Sequence, residues 1–190
     1  LLKMIVTPGI DFTDVNNWPA IGNMTWSGYQ KKKMFRNLRG QLFKEIAAEA
    51  GVDNDMDGRG VAVADFDNDG LADILQTNAD QPSLFYRGRT EGAGNWVELE
   101  LAGAKSNRQA IGARVSLEVD GLTLIREIDG GNGYSGQSST RVHFGIGKAN
   151  KIDAAKIRWP SGGEETVRLP VNRISRIREG NGVVSQARLP

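Results

Sequence analysis

The residues best placed to do chemistry lie in one short run, Asp65-Phe66-Asp67-Asn68-Asp69-Gly70-Leu71-Ala72-Asp73. Carboxylates spaced this closely repel one another unless they all face water or share a cation. The spacing suits a hard cation that takes many oxygens. Asp65, Asp67 and Asp69 would supply side-chain oxygens at the first, third and fifth loop positions. Leu71 would supply its backbone carbonyl at the seventh, and Asp73 a carboxylate at the ninth. Gly70, at the sixth, has no Cβ to obstruct a sharp turn. An all-oxygen donor set favours calcium over zinc or copper. The competing reading is a solvated acidic turn without metal. Agreement at five loop positions together favours calcium.

The flanking segments decide what holds the loop. An EF-hand closes with Glu at the twelfth position, where this chain has Gln76, and it needs a helix on each side. Here Val61-Ala62-Val63-Ala64 precedes the loop and Ile74-Leu75 follows it. Both runs are short and apolar, which predicts strands and a calcium-bound β-hairpin turn. A second acidic cluster, Asp53, Asp55 and Asp57 followed by Gly58, copies the first, third, fifth and sixth positions. Its ninth position is Val61, so the closing carboxylate is missing. A solvated turn is the favoured reading there, with a weak second metal site as the alternative.

The chain has 190 residues, room for one large or two small domains. A net charge of +1 gives no general attraction to nucleic acid or anionic membrane. The 24 glycines suit a turn-rich β protein. The absence of cysteine removes disulfides and thiolate metal sites. No apolar run approaches the length of a transmembrane helix. A start at Leu1 suggests either an excised fragment or a processed product, and removal of a signal peptide is one such processing step.

Met4-Ile5-Val6 reads as a strand ended by Pro8-Gly9. Asp14 to Ile21 reads as a degenerate, metal-free calcium loop. Lys31-Lys32-Lys33 is basic, but no interleaved aromatics or helical spacing support phosphate binding, so a solvated loop is favoured. Met34 to Asn37, a turn at Arg39-Gly40, and Leu42-Phe43 predict a small hairpin. Lys44 to Ala50 holds good helix formers and ends at Gly51, which predicts one short helix near 44–50. Ser83 to Arg87 then echoes Met34 to Asn37. A strand, a short helix and an Asp-rich hairpin that begin to repeat suggest propeller blades, with room for one or two.

Residues 60–70 resemble the FG-GAP/VCBS repeat of integrin-like propellers, through Gly60-Val61-Ala62-Val63-Ala64 and the Asp65-to-Gly70 run. Residues from Asn95 to about Gly180 resemble the ASPIC/UnbV domain. The residues that carry this second likeness are Asn95-Trp96, Ser106-Asn107-Arg108, Ala110 to Val115, Gly130 to Tyr134, His143 to Gly147, and Arg158-Trp159-Pro160-Ser161-Gly162. The resemblance implies a secreted or surface protein in which calcium-bound blades precede a terminal β domain. The chain departs from the repeat at Leu71 and Ala72. Because position seven gives only its backbone, the departure leaves the site in place.

The C-terminal half reads independently as all-β. Val97, Leu99 and Leu101 alternate with Glu98 and Glu100, and Ile111 to Val119 alternates likewise; both predict half-buried antiparallel strands. Asp120-Gly121 is a hairpin signal into Leu122–Ile128. Further inward faces at 142–146, 157–159, 167–169 and 174–177 bring the count to about seven strands, a sandwich or small barrel. The expected fold is therefore all-β: partial propeller-like blades over 1–94 with a calcium-loop hairpin, then a β-sandwich or small barrel over 95–190.

Gly131-Asn132-Gly133-Tyr134-Ser135-Gly136 matches the dinucleotide fingerprint in letters. It lacks the following helix, so a structural loop is expected. Tyr134 and Gln137 on that loop are candidates for contact with a protein or glycan ligand. His143, the sole histidine, should face outward or lie under a loop. Without cysteine or a second histidine, nucleophilic catalysis has little to draw on. Trp159 reads as core rather than sugar platform. The favoured function is a non-enzymatic, calcium-stabilised recognition or adhesion module, extracellular, cell-surface or periplasmic. It would bind no nucleic acid and insert in no membrane. A carbohydrate-binding module attached to an enzyme is the alternative, and a hydrolase or lyase a third.

Overall fold

A computed structural model describes residues 11, 14–17, 30–38 and 40–187. The expected strand at 4–6, the segment 18–21 and Arg39 lie outside the described residues. The protein is all-β, as its alternation predicts, with 13 strands among the described residues and a single 3₁₀ turn at Val15–Asn17.

The chain divides into two compact units, residues 1–59 with 77–82 and residues 60–76 with 83–190. In the first, β1 (Phe35–Leu38) and β2 (Leu42–Glu45) form the expected antiparallel hairpin. The helix expected near 44–50 does not form. Phe35 and Arg36 pair with Glu45 and Lys44, which draws those helix formers into β2. What is left is a turn over 47–51, in which Ala50 N donates to Ile46 O at 2.9 Å. β3 (Gly58–Ala64), β4 (Asp73–Asn78) and β5 (Gln81–Tyr86) form a three-stranded sheet in that order. Strands therefore flank the acidic loop on both sides, as its apolar neighbours predict.

The second unit holds two four-stranded sheets. One has the order β11 (Glu164–Val167), β10 (Ala154–Arg158), β7 (Arg114–Val119), β8 (Leu122–Glu127). The other has the order β13 (Gly182–Ala187), β12 (Ile174–Arg178), β6 (Asn95–Ala102), β9 (Val142–Gly147). Alternate residues of both sheets enter one core, including Val97, Leu99, Val115, Leu117, Phe144, Ile157, Trp159 and Ile177. This arrangement is compatible with a β-sandwich, and among the described residues no sheet closes into a barrel. Asp120 and Gly121, at φ 49° and 73°, make the expected tight turn between β7 and β8.

Two details depart from the alternation rule. β6 pairs antiparallel with β9 but parallel with β12. Glu98, which alternation would send to water, is 1% exposed, because both faces of β6 are covered from Trp96 to Leu99.

Candidate metal centre

The acidic loop joins β3 to β4, and two left-handed residues, Asn68 at φ 57° and Gly70 at φ 86°, turn it. Its carboxylates bind the loop's own amides. Asp65 accepts from Asp69 N at 3.0 Å and from Gly70 N at 2.8 Å. Asp67 accepts from Asp69 N at 3.3 Å, and Asp69 from Leu71 N at 2.9 Å. Asp73, fully buried, accepts from Phe66 N at 2.9 Å and Gly88 N at 2.7 Å. These bonds occupy one lone pair of each oxygen and leave the other available.

Oxygens of Asp65, Asp67 and Asp73 all lie within 4.8 Å of one another. Calcium–oxygen bonds run about 2.3–2.6 Å, so ligands on opposite sides of one ion stand about 5 Å apart, and the spacing fits. Among the described residues, these three form the carboxylate group close enough to share one ion. Asp69 is not part of the trio; one of its oxygens binds Leu71 N and the other lies 3.5 Å from the Arg87 guanidinium, which also pairs with Asp67. Leu71 follows directly and is half-buried. Burial raises the pKa of Asp65; the Gly70 and Asp69 amides oppose the rise, and the Asp69 and Asp67 charges add to it. The loop thus concentrates negative charge that a cation would relieve.

Four residues of the C-terminal strands surround this loop, and alternation alone does not single them out. Arg141 Nη1 lies 2.7 Å from Asn68 Oδ1 and 3.1 Å from Glu98 Oε2. Burial raises the pKa of Glu98, against the nearby Arg141 charge. His143 Nε2 lies 2.9 Å from Gly70 O; a carbonyl only accepts, so this nitrogen carries the proton. The histidine therefore lies under a loop, one of its two expected positions. Its ring stacks on Trp96, with centroids 6.4 Å apart and planes at 14°. The findable signal was register: Glu98 stands opposite His143 across the β6–β9 pair. Asp65, Glu98, Arg141 and His143 also line a cleft of about 370 Å³ with Ser138, Ser139 and Thr140.

The second acidic cluster has a different environment. Asp53 pairs with Lys31 at 3.2 Å, and buried Asp57 pairs with Arg59 at 2.7 Å. Lys32 Nζ binds the carbonyls of Gln30 and Met56. Asp55 is exposed. Among the described residues, Asp53, Asp55 and Asp57 form no carboxylate trio like that at Asp65. Part of the basic run at 31–33 serves as counter-charge to this cluster.

Tyr134 is 71% exposed and Gln137 is exposed, on the loop between β8 and β9. That loop closes with an Asn132–Gly136 bridge and leads into a strand, not the helix a dinucleotide site needs. Trp96 and Trp159 are buried, at 9% and 2% exposed. Among the described residues no helix is long and apolar enough to cross a membrane.

Residues 103–184 match the family described as ASPIC and UnbV, so the sandwich carries an ASPIC/UnbV domain. Over 149 residues, 74% of this chain, the protein is similar to cartilage acidic protein 1: 32% identical to that of Xenopus tropicalis, 29% to that of Homo sapiens and 28% to that of Mus musculus. The match covers 22–23% of those proteins, so the chain spans under a quarter of the length of the curated relatives it matches.

Proposed function

We propose that the chain is a non-enzymatic, calcium-stabilised, extracellular recognition module of a larger protein. The observation that carries this reading is the Asp65–Asp67–Asp73 trio, whose oxygens lie within 4.8 Å on a turn that Gly70 permits. Calcium there would be structural, pinning the β3–β4 turn. The similarity to proteins named for cartilage supports an extracellular or surface location. The proposed division keeps 1–94 as an FG-GAP/VCBS-like blade region of a larger propeller and 95–190 as the ASPIC/UnbV domain. The ligand would be a protein or glycan meeting the 129–141 loop through Tyr134 and Gln137. A sugar platform finds less support, since Trp96 and Trp159 are core residues and only Tyr134 of the three is exposed.

Thermal unfolding in calcium, magnesium and chelator tests the proposal. At a calcium concentration 100-fold above Kd the folded state should gain about 2.7 kcal/mol. Asp65→Ala or Asp67→Ala should abolish the gain, whereas Asp57→Ala should leave it. A stripped protein whose midpoint ignores calcium would sink the reading, and equal losses from Asp57→Ala would reassign the site.

A further inference from the structure

We infer that Arg141, Glu98 and His143 are positioning residues for the acidic loop, so that the C-terminal strands, and not the loop alone, set its affinity for a cation. The inference rests on the calcium reading above and assigns roles to residues outside the ligand set. The loop's carboxylates at positions one, three and nine alternate with two backbone positions that must be left-handed, Asn68 and Gly70. A side chain at such a φ is disfavoured unless something holds it. Arg141 does so at Asn68, by a 2.7 Å hydrogen bond to the side-chain oxygen. The guanidinium is in turn fixed by Glu98, whose side chain is 2% exposed and which it meets at 3.1 Å. Gly70 is held from two sides. His143 donates to its carbonyl, and the Trp96 indole fills the volume a Cβ would need, with Nε1 2.0 Å from that point.

Trp96 and Glu98 lie on β6, His143 on β9, and Arg141 immediately before β9. Both strands feed the sandwich core, so the loop is clamped to a rigid sheet at its fourth and sixth positions. A loop ordered before the cation arrives loses less conformational entropy on binding. In this arrangement the cation's stabilisation passes into β6 and β9.

The test uses the full chain. Asn68→Gly keeps the left-handed backbone but removes the oxygen that Arg141 holds, and it buries no unpaired charge. Arg141→Gln severs the same contact from the other side. Calcium titration calorimetry should show about tenfold weaker binding for both variants, the size expected when one charge-assisted hydrogen bond is lost. The unfolding midpoint in chelator should fall less for Asn68→Gly than for Arg141→Gln, because glycine takes the left-handed φ without strain and Glu98 keeps its partner. Amide exchange in chelator should rise across 66–71 in both, and in the parent protein calcium should add protection on β6 and β9. If Arg141→Gln fails to fold, Asn68→Gly decides. Affinities within twofold of the parent, with unchanged loop exchange, would overturn the inference. A parent chain that binds no calcium would overturn both readings, whereas a parent that binds it with variants of equal affinity would overturn the inference alone.

Discussion

Gly70→Ala separates backbone strain from close packing at the loop. The new residue must hold φ 86°, which costs about 1–2 kcal/mol for a residue with a Cβ. Its Cβ must also enter the Trp96 ring, where Nε1, Cε2 and Cδ1 lie 2.0, 2.3 and 2.5 Å from the ideal position. The indole is buried and stacked on His143, so it cannot swing aside freely. Overpacking of this kind costs about 1–3 kcal/mol more. The sum is about 2–5 kcal/mol. Gly121→Ala is the control: φ is 73° and nothing lies within 4 Å, so only the strain of about 1–2 kcal/mol should appear. Urea unfolding followed by far-ultraviolet circular dichroism, in chelator, measures both. Introducing Trp96→Leu should cancel part of the Gly70→Ala loss, with a coupling of about 1 kcal/mol or more. Equal losses at the two glycines, or strict additivity with Trp96→Leu, would refute the packing argument.

Two further outcomes are expected. Glu179 is buried, which opposes its charge, but the Ser106 amide, the Ser161 hydroxyl and the Ala104 and Lys105 amides outweigh burial and lower its pKa to about 2. A depressed folded pKa gives stability that is present above the ordinary value of 4.5 and is lost as pH falls through about 2. The stability gap between the parent and Glu179→Gln should thus be full at pH 7 and narrow below pH 4.5, read from denaturant midpoints at several pH values; a gap independent of pH would refute the assignment. Arg87 competes with a cation for Asp67, but it is half exposed and such pairs are worth about 0–1 kcal/mol. Arg87→Gln should tighten calcium binding by up to about fivefold in calorimetry, and weaker binding would show that Arg87 supports the loop instead.

Much of the fold was legible because burial is one-sided in most strands. β7, β9 and β10 alternate cleanly, and the apolar runs beside the acidic loop became β3 and β4. Legibility failed where a distant segment supplied the environment. Glu98 reads as a solvent-facing residue until Arg141 is brought beside it, 43 residues further along. The helix near 44–50 fails because β1 recruits Lys44 and Glu45 by pairing, and pairing overrides local propensity. β13 carries no readable signal because Val183-Val184 is followed by polar Ser185-Gln186, without alternation. For the acidic loop, the carboxylate spacing is readable, and the structure brings Asp65, Asp67 and Asp73 together. The counter-charges that separate the two acidic clusters were not readable, since Lys31 meets Asp53 across 22 residues.

The parallel pairing of β6 with β12 bears on how the chain acquires its fold. Arg176 and Glu100, which join the two strands, are 76 residues apart, and β6 sits between β12 and β9 in its sheet. During synthesis β6 therefore emerges long before its parallel neighbour exists. Its Val97 and Leu99 gain their full cover only after β12 has left the ribosome. Such distant closure slows folding, toward the millisecond-to-second range of β-rich topologies, and leaves an unpaired strand edge exposed in the interim. Docking of β12 is the expected slow step, and an interruption of translation before residue 174 would release a chain prone to aggregate through β6.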